Sequence, residues 1–292
     1  MFCKLVVVMK KICLILIVLS LFCVGCGKDT DTQIVATTLP VYEFTTAICQ
    51  GTDLAVSRLI TEEVSCLHDY TLQVSQMRAV ESADVVILNG GGLEDFLGDV
   101  LASADRVIDA STDMELSCGH QHEGHDHEHD PHFWLSPEKA KQMSQNIYTG
   151  LCELYPNYQG EFTVNFAELL AKLNALHAYG EAELSNLKNR HLITFHDGFS
   201  YFADSFGLHI LKAVEEESGS EASAKELIEI IDLVNEHNLP AIFTEHNGST
   251  AAATVISAET GAKVYALDMA MGGNSYFDAM YHNIRTVKEA LG

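Results

Sequence analysis

The 292-residue chain is short of positive charge: 17 lysines and arginines stand against 41 aspartates and glutamates, a formal net charge of −24 with histidine neutral. So acidic a molecule is a poor binder of nucleic acid or anionic lipid, whose phosphates call for a basic face. It suits cations, or simply the need of an exported protein to stay soluble. Catalytic signatures are missing too. "HEGHD" at 122–126 places its second histidine one residue too early for HExxH, and "HEHDPH" at 127–132 carries its acid at Asp130 instead of 131, where HxHxDH would need it. "HDGFSYF" holds Ser200 without GxSxG. "NGGG" at 89–92 has neither GxGxxG spacing nor a P-loop lysine and reads as a turn after a strand. Among Cys49, Cys66, Cys118 and Cys152 there is no CxxC pair, which argues against a thiolate zinc knuckle. Those four leave three disulfide connectivities, or free thiols, open.

The N-terminus does have a long apolar run. Lys10 and Lys11 precede "ICLILIVLSLFCVG", which ends at Cys26 and gives way to polar residues. This is the pattern of an export signal rather than of a permanent span. Residues 1–25 are expected to be removed and Cys26 to be lipidated as the first mature residue, although Cys23 stands where such boxes usually carry Leu. Plain secretion and an uncleaved anchor are the alternatives, and Met9 could equally serve as the start. Loss of that segment, which has three lysines and no acid, takes the formal charge from −24 to −27.

Beyond Cys26, short apolar runs alternate with helical patterns: 34–38, 54–60, 85–89 and 106–110, then 192–195, 209–214, 241–245 and 263–267. Apolar strands divided by helices predict parallel sheets covered on both faces, hence an α/β fold of two lobes. Between the two sets, Phe162, Phe166, Leu169, Leu173, Leu176 and Leu187 fall mostly at helical spacing and predict one long rigid helix over 157–189. The expected layout is an N-terminal lobe over 26–156, this helix, and a C-terminal lobe over 190–292.

Four polar residues stand where such sheets bind ligands, beyond strand ends and at helix entrances. His68 follows the second strand. His132 lies in "DPHFWLSP", before a helix that Ser136 can cap with Pro137 in its first turn. His196 follows the fifth strand and Asp268 the eighth. Three imidazoles and a carboxylate make a four-coordinate set suited to Zn²⁺. Phe133, Trp134, Phe199, Tyr201 and Phe202 beside them read as a water-excluding wall or as core.

"LHDYTLQVSQMRAVESADVVILNGGGLEDFL", "DPHFWLSP", "TFHDGFSYFADSFGL" and "FTEHNGSTAAATVISAETGAKVYALD" resemble, in order, the motifs of zinc/manganese solute-binding proteins of ABC importers. The resemblance implies two α/β lobes on one long helix, a metal in the cleft between them, and ligands at His68, His132, His196 and Asp268. Histidine rather than glutamate at 196 favours zinc over manganese, with iron or manganese uptake, or an extracytoplasmic zinc enzyme, as the alternatives. Leu67 stands where the family often has Pro, and "DYTL" replaces "YEP". Glu245 matches an acid near the site, either supporting a ligand or replacing one. The implied partners are Zn²⁺ as cargo and a membrane ABC permease, for a lipid-anchored, extracytoplasmic monomer.

Residues 119–132 hold six histidines. His120, His122, His125, His127 and His129, interleaved with acids and Gly within the loop 119–130, suit a weak multi-metal collector, because chelation by such a loop must order it. His132, flanked by "DP" and "FWLSP", is assigned to the cleft.

Overall fold

The computed structural model describes residues 33–292 apart from 63, 65, 66, 68, 69, 118–128, 216–221 and 247–249. The expected signal and Cys26, together with His68, His120, His122, His125 and His127, lie outside the described residues.

The first half runs β1 (Gln33–Ala36), α1 (Leu39–Ile48), β2 (Ala55–Arg58), α2 (Val74–Ser82), β3 (Val85–Leu88), α3 (Gly98–Leu101) and β4 (Val107–Asp109). Its strands are parallel in the order β2-β1-β3-β4. β3, Val-Val-Ile-Leu, is buried along its whole length because helices cover both faces, which is why it reads as an unbroken apolar run. Two long helices follow, α4 (Pro137–Leu154) and α5 (Gln159–Leu184). Ser136 caps α4, its side chain accepting from the Lys139 N–H, with Pro137 in the first turn as predicted. The second half runs β5 (His191–His196), α6 (Ser200–Ser205), β6 (His209–Glu215), α7 (Ala224–Glu236), β7 (Ala241–Glu245), α8 (Ala251–Thr260), β8 (Lys263–Leu267) and α9 (Tyr276–Leu291). Its parallel sheet has the matching order β6-β5-β7-β8. All eight strands fall on the predicted runs.

In both sheets the chain steps first to one side and then to the other. Each sheet therefore has a switch point, between β1 and β3 and between β5 and β7, where a crevice opens beyond the strand ends.

α5 is shorter than its apolar pattern predicts. A 3₁₀ turn, Pro156–Tyr158, precedes it, and it stops at Leu184 because Arg190 reaches back and donates from Nη2 to the Leu184 and Ser185 carbonyls at 2.8 and 3.1 Å. Phe162, Phe166, Leu169, Leu173, Leu176, Gly180 and Leu184 form its buried stripe, whereas Leu187 lies past its end and is half-buried. Both sheets and α5 belong to one compact unit, Thr32–Gly292, and one hydrophobic core runs through both halves.

Polar bonds stitch the halves together. Trp134 Nε1 donates to the Met269 carbonyl at 2.7 Å, and Tyr276 Oη to the Trp134 carbonyl at 2.8 Å. Arg58 Nη1 donates to the Gly273 carbonyl at 2.8 Å, and the Tyr276 N–H to Glu43 Oε2 at 2.6 Å. Cys49 and Cys152 are unbridged, and burial pushes the Cys49 thiol up to about 12. Cys66 and Cys118 lie outside the described residues.

Candidate metal centre

The second switch point carries the chemistry. His196 is the last residue of β5 and Glu245 the last of β7, so adjacent parallel strands end with an imidazole beside a carboxylate. His196 Nδ1 lies 3.1 Å from Glu245 Oε1, with the two side chains 4% and 5% exposed. Behind the ring, Gly198 fits so closely that a Cβ there would come within 2.7 Å of His196 Cδ2 and 2.6 Å of Met269 Cε. Glycine at 198 is thus a matter of space: a side chain would push the imidazole out of place.

His132 comes from the other half, on the turn that enters the 3₁₀ segment Phe133–Leu135. Asp130 Oδ1 accepts from the His132 N–H at 2.9 Å and lies 2.8 Å from its Nδ1. Backbone and ring are held by one carboxylate oxygen two residues upstream. The His132 ring leans on Trp134, 5.3 Å away between centres, and is 4% exposed.

The two imidazoles meet edge to face, with His196 Nε2 and His132 Nε2 3.3 Å apart. Each ring turns Nδ1 toward a carboxylate. That arrangement favours the proton on Nδ1 and leaves the Nε2 lone pair for a metal. At this distance one Nε2 can donate to the other, the donor being set by the tautomer, and a metal would replace that shared proton. Nitrogens bound to one tetrahedral zinc at about 2.0–2.1 Å stand roughly 3.3–3.4 Å apart, which is the spacing seen here.

The other predicted ligands are placed differently. Asp268 follows β8 in a tightly bonded loop: its Oδ1 accepts from the Ala270 N–H at 2.7 Å, and Asn283 holds its N–H and carbonyl at 2.8 and 2.7 Å. Among the described residues no set of three or more His, Cys, Asp or Glu side chains is gathered for a metal. His68 lies outside the described residues, next to a fully buried Leu67. Of the loop histidines, His129 is described and is exposed beside Asp130. Phe133, Trp134, Phe199, Tyr201 and Phe202 are all buried. All five belong to the hydrophobic core, and Trp134 is also in contact with the His132 ring and bonded across the halves.

Sequence reading missed Asp130 and Gly198. The signals were the acid two residues before His132 and the glycine two residues after His196.

Residues 34–290 match the family described as "Zinc-uptake complex component A periplasmic" (ZnuA). The chain is 32% identical over 308 aligned residues to the zinc-binding lipoprotein AdcA of Streptococcus pneumoniae serotype 4, a match covering 96% of this chain and 61% of AdcA. It therefore spans less than two thirds of that relative. Among solved structures, a crystal structure of ZnuA aligns with TM-score 0.79 and 28% identity, covering 90% of this chain and 100% of ZnuA. The Zn(II)-bound ZnuA-like domain of AdcA from Streptococcus pneumoniae aligns with TM-score 0.76 and 28% identity over 89% of this chain and 99% of the domain. With two matching parallel sheets, a long helix between them and a family match across nearly the whole described fold, the chain belongs to the periplasmic zinc-uptake component A (ZnuA) family.

Proposed function

We propose that this chain captures Zn²⁺ outside the cytoplasm and hands it to an ABC-type metal importer. The observation that carries this reading is the His132–His196 pair, one imidazole from each half, each turned by a carboxylate, with Nε2 atoms 3.3 Å apart. The zinc named for AdcA and the ZnuA family supports the choice of cargo. Nitrogen ligands also suit zinc better than manganese.

His68 and Asp268 complete the proposed ligand set. Glu245 and Asp130 act as orienting partners that hold the tautomer. The histidines of 119–129 collect zinc and raise its local concentration. Cys26 carries a lipid that keeps the monomer at the membrane near its permease. Docking on the permease shifts one half against the other, separates the two imidazoles and frees the ion. The role is binding, not catalysis.

Zinc titration of the full chain by calorimetry, with Trp134 fluorescence read in parallel, tests this. One tight site is expected to survive deletion of residues 119–129 and to vanish in His196→Ala. Capture should also weaken as pH falls through the range in which imidazole takes up a proton. Tight binding that leaves with the loop, or an affinity flat from about pH 8 to pH 5, would refute the assignment.

A further inference from the structure

The first sheet has a buried acid of its own. Glu94 sits at the switch point between β1 and β3, and three donors converge on it. Thr37 Oγ1 and the Asn89 N–H donate to Oε1 at 2.5 and 2.7 Å, and the Gly90 N–H donates to Oε2 at 2.9 Å. Thr37 follows β1 and Asn89 follows β3, so one carboxylate ties together the ends of the two central strands. Burial outweighs these donors, and with the nearby Asp109 charge it pushes the Glu94 carboxyl up to about 7. An apolar side chain of similar volume would leave the Asn89 and Gly90 N–H groups without an acceptor in the interior, so the acid at 94 holds the ends of two strands and the turn between them.

The turn that Glu94 holds touches the segment bearing His132. Gly90, Gly91 and Gly92 all have positive φ, at 88°, 66° and 86°, so the turn needs support from outside itself. Asn89 Nδ2 donates to the Pro131 carbonyl at 3.4 Å. A Cβ on Gly91 would come within 3.2 Å of the Phe133 ring and 3.6 Å of Pro131 Cα. The residues on both sides of His132 thus rest on this turn.

We propose that Glu94 is a positioning residue for zinc capture: its carboxylate sets the Asn89–Gly92 turn, which seats Pro131–Phe133 and holds His132 Nε2 opposite His196. The inference rests on the reading of His132 as a ligand. Glu94 is the counterpart in the first half of Glu245 in the second. Both are glutamates at a switch point, one acting on its histidine directly and the other through main chain.

The test is Glu94→Gln in the full chain, with zinc Kd measured by chelator competition at pH 8. An amide in this place must turn its NH₂ toward at least one main-chain N–H, so the turn shifts. Zinc Kd is expected to rise about tenfold, in the range found when partners behind a ligand are lost. The imidazole ¹⁵N signals of His132 should move while those of His196 stay. A role in stability alone would lower the apo Tm and leave both Kd and the His132 signals unchanged, and that result overturns the proposal. Should Glu94→Gln fail to fold, Asn89→Ala decides. It keeps the N–H that Glu94 accepts and removes the amide that reaches Pro131; raised Kd supports the inference, and wild-type Kd refutes it. His132→Ala separates this from the parent reading. If it binds zinc like wild type, His132 is no ligand and both fall; if it loses zinc while Glu94→Gln does not, the positioning role alone is wrong.

Discussion

At the scale of single residues, the candidate site depends on small details of placement. Gly198 is the sharpest case. Alanine would put a Cβ 2.7 Å from His196 Cδ2 and 2.6 Å from Met269 Cε, closer than real contacts allow. His196 is buried and paired with Glu245, so the strain falls on the ring. Gly198→Ala is expected to fold, to keep its far-UV circular dichroism, and to bind zinc at least about tenfold more weakly. Wild-type affinity in that variant would show that the ring position is not set from behind. What the sequence made legible is where the predicted ligands stand: His132 at a helix entrance, His196 at the end of β5 and Asp268 just past β8. Asp130 and Glu94 were not legible, since each is one acid among 41. Their importance comes from main-chain N–H groups that only the fold brings to them.

Elements were the most legible level. Eight apolar runs became eight strands; the central ones, β1, β3, β5 and β7, are buried along nearly their whole length, which is why they read as near-continuous apolar runs. The order β2-β1-β3-β4 could not be read, since the run of apolar residues in a strand says nothing of which neighbour it takes. The end of α5 was overshot for a physical reason: Leu187 continues the apolar pattern, but Arg190 has already claimed the last carbonyls. Gly180, inside that helix, looks like a flaw in the sequence and is a fitting. A Cβ there would lie 2.2 Å from the Phe206 ring. Helix propensity alone makes Gly→Ala favourable by about 1 kcal/mol. Overpacking a buried contact costs about 1–3 kcal/mol. The second effect should win, so Gly180→Ala is expected to lower stability in urea unfolding; a gain would mean that Phe206 moves aside freely.

For the whole molecule, the question is what holds the two halves at the separation the imidazole pair requires. Trp134 is the central fastening, giving its indole N–H to Met269 and its carbonyl to Tyr276, with every partner buried. Tyr276→Phe leaves the Trp134 carbonyl short of a donor in the core. It should cost about 1–3 kcal/mol in denaturant unfolding. Zinc Kd is expected to stay within about threefold of wild type, a change of under 1 kcal/mol, because the phenol's hydrogen bond goes to the Trp134 main chain. A large loss of affinity in this variant would mean that the fastening and the metal seat are one mechanical unit.

The two imidazoles are mounted unequally. His196 stands on a strand hydrogen-bonded between two others, and its carboxylate sits on a neighbouring strand. His132 stands on a three-residue 3₁₀ entrance and is braced by an acid two positions away. One jaw of the clamp is anvil and the other spring. In the zinc capture proposed above, pulling on such a clamp would stretch the spring, leaving the ion with His196 while His132 lets go.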